Sequence, residues 1–199
     1  MIQFDDITRR LAGHRPTLLP PEQGIQSAVA FILRETEQGP AGLFIERATR
    51  IGDPWSGNVG LPGGRVEPVD RSLRDTAERE TREEIGLDLS HNSHLGRLSD
   101  IAGAHLRVLV AGFVYLVTDE PVLQLSDEVT EAFWVPLESL MIPERRITAT
   151  IRFSDRTVTT PAIILPQRDK PLLWGITYRL ICEFLEICGQ GGARSVVPE

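Results

Sequence analysis

The sequence predicts an α+β fold in which a mixed β-sheet lies between helices. The chain is 199 residues long, which suits one domain with its own hydrophobic core. Its segments follow the order strands, glycine-rich loop, helix, further strands and closing helix. This order lacks the regular alternation of strand and helix that a doubly wound fold requires.

The first segments predict a short helix, a linker and two strands. Phe4, Ile7 and Leu11 have helical spacing, and prolines follow within the next ten residues, so we expect residues 1–26 to be a helix and a linker. The next apolar runs, 27–33 and 42–47, are typical of strands and are separated by a turn-like Gln-Gly-Pro.

A loop and a helix come next. The loop has the sequence IGDPWSGNVGLPGG over residues 51–64 and is rich in Gly and Pro. The helix is predicted over residues 70–84, with Asp70 as its N-cap and Gly86 as its stop.

The second half of the chain predicts strands and a closing helix. Strands are expected at residues 107–117 and 131–136, and a hairpin over 147–165 turns at Ser154-Asp155. Residues 174–187 carry a wide apolar stripe and predict the last helix, and residues 188–199 predict a flexible C-terminal tail.

Charge and composition exclude several classes of function. The net charge of -7 argues against nucleic acid as a partner, because such binding needs a basic surface. The longest apolar run is too short to span a bilayer, and residues 1–10 contain acids and no apolar core typical of a signal peptide, so we expect no membrane partner and a cytoplasmic protein. Cys182 and Cys188 are expected to be free thiols, and a homodimer stays possible.

The helix after the loop carries acidic side chains where a core-facing stripe is expected. At about 100° per residue, the stripe contains Leu73, Ala77, Glu80 and Glu84, and Glu83 lies one step to the side. Carboxylates this close together repel each other, and burial without a partner costs several kcal/mol or forces protonation. A divalent cation would remove both penalties, and oxygen ligands favour Mg²⁺ or Mn²⁺ over zinc.

The alternative interpretation is a solvated helix face on which these acids pair with Arg79 and Arg82. The segment before the helix favours the metal site. It runs Gly64-Arg-Val-Glu67-Pro-Val-Asp70, then eight residues, then Arg79-Glu80-Thr-Arg-Glu83-Glu84-Ile-Gly86-Leu87. This stretch resembles the Nudix box, and its second half matches the family pattern in full.

The details of the box resemble the coenzyme A pyrophosphatase branch of the Nudix family. The shared features are the Pro-Gly-Gly start, Asp70 in place of a Glu, and one extra residue before the Arg. Segments at 128–137 and 173–177 also resemble that branch, so the resemblance covers most of residues 27–187. The chain departs from the branch at Ala48, Trp55 and Leu61, where the branch has Ser, His and Phe.

The resemblance implies a Nudix-like α/β/α sandwich over residues 27–187 and metal-assisted attack of water on a phosphoanhydride bond. It implies Glu80, Glu83 and Glu84 as metal ligands, joined by the backbone carbonyl of Gly63. Arg79 is expected to orient a glutamate rather than to contact substrate. The implied substrate is a small nucleotide, with coenzyme A or an acyl-coenzyme A as the first candidate.

The general base has candidates on two elements. Glu84 is one, and in this family the base can instead lie on a later loop, where Glu128 and Glu131 are the candidates. Arg47 and Arg65 are expected to neutralise substrate phosphates, and the alternative for each is an ordinary surface arginine. Trp55 is expected to contact the substrate from the glycine-rich loop, and the alternative is an ordinary packing residue.

Other functions have less support in the sequence. His91 and His94 are the only close pair of zinc-type ligands, and they lie in a polar segment expected to be an exposed loop. P-loop and α/β-hydrolase motifs are absent from the sequence. Two alternatives stay open: hydrolysis of a dinucleotide, a sugar nucleotide or a damaged nucleoside triphosphate, and a non-catalytic ligand sensor with the same fold.

Overall fold

The computed structural model of the protein describes residues 3–50, 55–104, 107–153, 156–167 and 169–190. The helices within these ranges are α1 (Phe4–Gly13), α2 (Leu73–Ile85) and α3 (Gly175–Ile187), with short 3₁₀ turns at Pro21–Gln23, Leu137–Met141 and Pro143–Arg145. The strands are β1 (Ile25–Thr36), β2 (Gly39–Arg47), β3 (Val59–Gly60), β4 (Gly63–Arg65), β5 (Ser93–Arg97), β6 (Ile101–Ala102), β7 (Val108–Val117), β8 (Val129–Pro136), β9 (Arg146–Phe153), β10 (Arg156–Ile163) and β11 (Leu173–Trp174).

The larger sheet is mixed, as the sequence predicts. Its main order is β3-β2-β1-β7-β5, with β8 on β2, β4 on β1 and β6 on β7. The long central strands β1 and β7 pair in parallel from Ile25↔Val108 to Arg34↔Val117, and the other pairs are antiparallel. A second sheet has the order β11-β10-β9, and the predicted turn of its hairpin at Ser154-Asp155 lies outside the described residues.

The side chains of β1 alternate between the two faces of the sheet. Phe31 belongs to the core cluster that includes α1 and α3 residues, and its ring lies edge-on to Phe184 at 5.0 Å between centroids. Ile32 belongs to the cluster that contains Ala77 and Ile85 of α2. Because neighbouring strand residues point to opposite faces, this division places the sheet between helices and confirms the predicted α/β/α arrangement.

The limits of α2 come from a serine and a glycine. The Ser72 hydroxyl accepts a hydrogen bond from the Asp75 N–H at 3.1 Å, and Gly86 adopts a φ of 72° and donates to the Arg82 carbonyl at 3.0 Å. The prediction of Asp70 as N-cap is therefore wrong. Ser72 has the extended backbone of a capping residue, and the Asp70 carboxylate is occupied by Arg79.

The remaining elements add detail at both ends of the chain. Leu11 of α1 is buried in the main core, and the thiols of Cys182 and Cys188 are free and buried.

His94 lies in β5, not in a loop as predicted, although it is exposed. From residue 191 onward the predicted tail lies outside the described residues. None of the described helices has both the length and the apolar character needed to cross a membrane.

Candidate functional site

The two glycines of β4 bring the backbone close to α2. The strand pairs antiparallel with β1, so that Gly63 faces Val29 and Gly64 faces Ala28. Gly63 has a φ of 151°, and a Cβ there would lie 2.2 Å from the Ala28 carbonyl oxygen. A Cβ on Gly64 would lie 2.4 Å from Oε1 of Glu80. Gly63 therefore allows the close approach of β4 to the backbone of β1, and the absence of a side chain at Gly64 leaves the space that the Glu80 carboxylate occupies.

Glu84 is almost fully buried, with 3% of its side chain exposed. Its Oε2 accepts a hydrogen bond from the Gly63 N–H at 2.9 Å, and its Oε1 accepts one from Nη1 of Arg47 at 3.2 Å. Burial, with smaller contributions from the charges of Glu80 and Glu128, raises its pKa to about 7 against the lowering effect of the Gly63 and Arg47 contacts. Glu84 therefore changes protonation state near neutral pH.

Arg79 holds three carboxylates of the site, although it is almost fully buried itself. Its Nε and Nη2 donate to the two Asp70 oxygens at 2.9 and 3.0 Å, and Nη1 donates to Glu80 at 3.0 Å and to Glu83 at 2.9 Å. Nη2 also donates to the Arg65 carbonyl at 3.0 Å. Hydrogen bonding by Arg79 lowers the pKa of Asp70, and the acids raise the pKa of Arg79. This geometry fits the predicted orienting role of Arg79.

The predicted metal ligands Glu80, Glu83 and Glu84 lie on the face of α2 toward β4. Among the described residues, however, no three acidic, histidine or cysteine side chains converge closely enough to enclose a cation. Arg79 binds Glu80 and Glu83, and the described contact of Gly63 is made by its amide. Burial raises the pKa of Glu80 despite Arg79, with smaller contributions from Glu83 and Glu128. Hard divalent cations prefer oxygen ligands, and the site offers several carboxylate oxygens next to two glycines that carry no side chain. The types of residue present therefore fit such a cation.

The loop before β8 brings Glu128 to this site. The Ser126 N–H donates to the Glu84 carbonyl and the Ala48 N–H donates to the Glu128 carbonyl, at 2.9 and 2.8 Å. The charge of Glu128 contributes to the raised pKa of both Glu80 and Glu84, so that its carboxylate is within electrostatic range of both.

Glu131, the other candidate base, lies in β8 and not in a loop as predicted, and its carboxylate is engaged elsewhere. It lies opposite Glu46 in the pairing of β8 with β2, and both carboxylates form ion pairs with Lys170. Of the two later candidates, Glu128 is the one that lies in the loop bonded to the backbone of Glu84.

Aromatic residues adjoin the glycine-rich loop. The ring of Trp55 lies 6.4 Å from that of Phe153, which in turn lies 5.4 Å from Trp174 and edge-on to it. The indole N–H of Trp174 donates to the Asn58 side chain at 3.1 Å. Trp55 is partly buried against the core, whereas the Arg65 side chain is exposed to solvent.

Sequence reasoning missed two side-chain contacts of the candidate site. The first is the bidentate contact of Asp70 with Arg79, nine positions apart, for which the unusual Asp in the box was the available signal. The second is the ion pair of Arg50 with Glu128, for which the sequence offers no local pattern.

Comparison with known proteins defines the class. The NUDIX domain model matches residues 24–154, which is more than half of the chain, and the chain therefore belongs to the Nudix family. A solved structure supports the same fold: the MutT/nudix family protein from Enterococcus faecalis has a TM-score of 0.56 and 20% identity, covering 92% of this chain and 68% of that protein.

Two curated relatives are similar in sequence. The mitochondrial coenzyme A diphosphatase NUDT8 of Homo sapiens is 31% identical over 149 residues, which are 73% of this chain and 61% of that protein. The uncharacterized protein C14C4.10c of Schizosaccharomyces pombe is 39% identical over 113 residues, which are 53% of this chain and 34% of that protein. The chain thus spans between one third and three fifths of the length of these relatives.

Proposed function

We propose that the chain is a metal-dependent hydrolase that cuts a phosphoanhydride bond in a nucleoside diphosphate derivative. The observation that carries the proposal is the buried Glu84 carboxylate, held by Gly63 and Arg47, on the acidic face of α2. Membership of the Nudix family supports this interpretation.

Glu80, Glu83 and Glu84, with the Gly63 carbonyl, would hold Mg²⁺ or Mn²⁺. When bound, such an ion polarises phosphate oxygens, lowers the pKa of water and neutralises charge on the leaving group. Arg79 holds Glu80 and Glu83 on the same side of α2, and Asp70 fixes Arg79 through both of its carboxylate oxygens.

The proton of the attacking water goes to a carboxylate oxygen. Glu84 is the first candidate for this base, and in the metal-free site burial raises its pKa to about 7. Glu128 is the second candidate, and it is half exposed and therefore accessible to water. Arg47 and Arg65 would neutralise substrate phosphates that face away from the acids.

Coenzyme A or an acyl-coenzyme A is the proposed substrate. The support comes from the Pro-Gly-Gly box with its extra residue and from the similarity to a coenzyme A diphosphatase. Trp55 and Trp174, which pack on the buried Phe153 beside the glycine-rich loop, are partly exposed and would contact the thiol arm of coenzyme A.

A substrate panel with Mg²⁺ and Mn²⁺ tests both levels of the proposal. We expect coenzyme A to be split into an adenosine bisphosphate and a phosphopantetheine, identified by mass. If a dinucleotide, sugar nucleotide or nucleoside triphosphate has a kcat/KM roughly a hundredfold higher, a difference of about 2.7 kcal/mol, the substrate is wrong while the hydrolase stands. Nucleotide binding without turnover under either metal would indicate a ligand sensor instead.

A further inference from the structure

Arg50 joins the loop after β2 to the loop before β8. Its Nη1 donates to Oε1 of Glu128 at 2.9 Å, and its Nη2 donates to Oδ2 of Asp127 at 2.8 Å. The backbone N–H of Arg50 donates to the Ser56 hydroxyl at 2.6 Å. The base of the Arg50 side chain and the far end of its guanidinium are therefore both held.

The loop that carries Glu128 is fixed to the site at its other contacts. Ser126 donates its N–H to the carbonyl of Glu84, and its hydroxyl accepts from the Glu128 N–H at 3.3 Å. The carbonyl of Glu128 accepts from Ala48. These bonds fix the backbone of Glu128 and leave the direction of its carboxylate to the contact with Arg50.

We propose that Arg50 is a positioning residue that directs the carboxylate of Glu128 toward the acidic face formed by Glu80 and Glu84. The inference rests on the proposed hydrolase function, in which Glu128 is the candidate base on the later loop. The guanidinium is a rigid planar fork, and its two nitrogens bind the carboxylates of Asp127 and Glu128 side by side.

A purely structural role explains this arrangement poorly. The side chains of Arg50 and Glu128 are almost half exposed and Asp127 is 92% exposed. Ion pairs in such surroundings contribute little to the stability of a fold, because water screens them and the side chains lose entropy. What the pair does provide is a fixed orientation of one carboxylate beside the site.

Steady-state kinetics of Arg50→Met, Arg50→Lys, Glu128→Gln and the Arg50→Met/Glu128→Gln double variant test the proposal on the best substrate of the panel. We expect Arg50→Met to lower kcat by about tenfold to a hundredfold with KM nearly unchanged, since a misplaced reacting group costs up to about that factor. Arg50→Lys should recover only part of the loss, because lysine lacks the fork. The double variant should be no slower than Glu128→Gln alone.

Arg15→Met is the matched control, because Arg15 is exposed in the linker after α1. It should retain wild-type kinetics, and thermal unfolding should show that all the variants are folded. The shift of Tm by Mn²⁺ should be the same in Arg50→Met as in the wild type.

Three results would overturn the inference: a rise in KM at constant kcat, which would make Arg50 a substrate contact; losses that multiply in the double variant; or wild-type kinetics in Arg50→Met. A wild-type chain that turns over no substrate would instead refute the proposed function, and that result is visible before any variant is assayed.

Discussion

Replacement of Glu84 by glutamine should stabilise the metal-free protein above neutral pH, although it removes a residue of the proposed active site. The Glu84 side chain is almost fully buried, and its pKa is about 7 instead of the usual 4.5. The folded state thus prefers the neutral carboxyl group, for which glutamine is a close mimic in shape and charge.

The sign and the magnitude of this effect on the free energy of unfolding follow from the difference in the pKa of Glu84 between the folded and the unfolded state. Because the pKa of Glu84 is raised in the folded state, its contribution to stability is fully present below pH 4.5 and is lost as the pH rises through 7. At about 1.4 kcal/mol per pH unit, the displacement of the pKa corresponds to about 3 kcal/mol in the free energy of unfolding. Asp70 does not obscure this effect, because its lowered pKa acts below pH 4.

Urea unfolding in the presence of a chelator, at pH 5 and at pH 8, measures the effect. The free energy of unfolding of Glu84→Gln minus that of the wild type should increase by about 2.5 kcal/mol between the two pH values, because a small part of the effect is already lost at pH 5. Glu186→Gln, on the exposed face of α3, should follow the wild type at both. Parallel pH dependences in the wild type and Glu84→Gln would refute the assignment of a raised pKa to this residue.

Three further predictions concern activity and metal binding. Glu83→Gln should lower kcat by orders of magnitude. It should leave the Tm of the metal-free protein nearly unchanged, because the Glu83 side chain is half exposed. Activity near that of the control Glu186→Gln would contradict the place of Glu83 among the metal ligands. Mg²⁺ or Mn²⁺ should raise the Tm in differential scanning fluorimetry, since a ligand of the folded state adds RT ln(1 + [L]/Kd) to the free energy of unfolding. Glu80→Ala should reduce this rise in Tm, and an undiminished rise would exclude Glu80 from the metal site. Trp55→Ala should raise KM for coenzyme A more than for short pyrophosphates that lack the thiol arm, and equal changes would show that the ring makes no contact with the arm.

The acidic face of α2 could be predicted from the sequence because helical periodicity is a local property. Ala77 and Glu84 are buried on one side of α2, as the angle of about 100° per residue requires. The mixed sheet could be predicted as well, because the order of strands and helices along the chain is visible in the sequence. The N-cap did not, because Asp and Ser are both suitable caps and only the backbone at Ser72 distinguishes them.

Contacts between distant parts of the chain lay beyond sequence reasoning. Arg50 and Glu128 are separated by 78 positions, and each looks like an ordinary surface residue in its own segment. They meet because β2 and β8 pair along their length, with a register shift at Glu46/Arg47 next to both loops. A single sequence carries no signal for such a meeting, since strand pairing is decided by the whole sheet.

Each acid of the site has an arginine partner, and this has a consequence for metal affinity. Glu84 is bonded to Arg47, Glu80 and Glu83 to Arg79, and Glu128 to Arg50. These partners reduce the repulsion among the carboxylates, which would otherwise favour protonation or unfolding. A cation that binds Glu80 and Glu83 would therefore use the other oxygen of each carboxylate or compete with Arg79 for Oε1 of Glu80 and Oε2 of Glu83. Arg79 can yield them without losing its place, because Asp70 and the Arg65 carbonyl hold its other nitrogens.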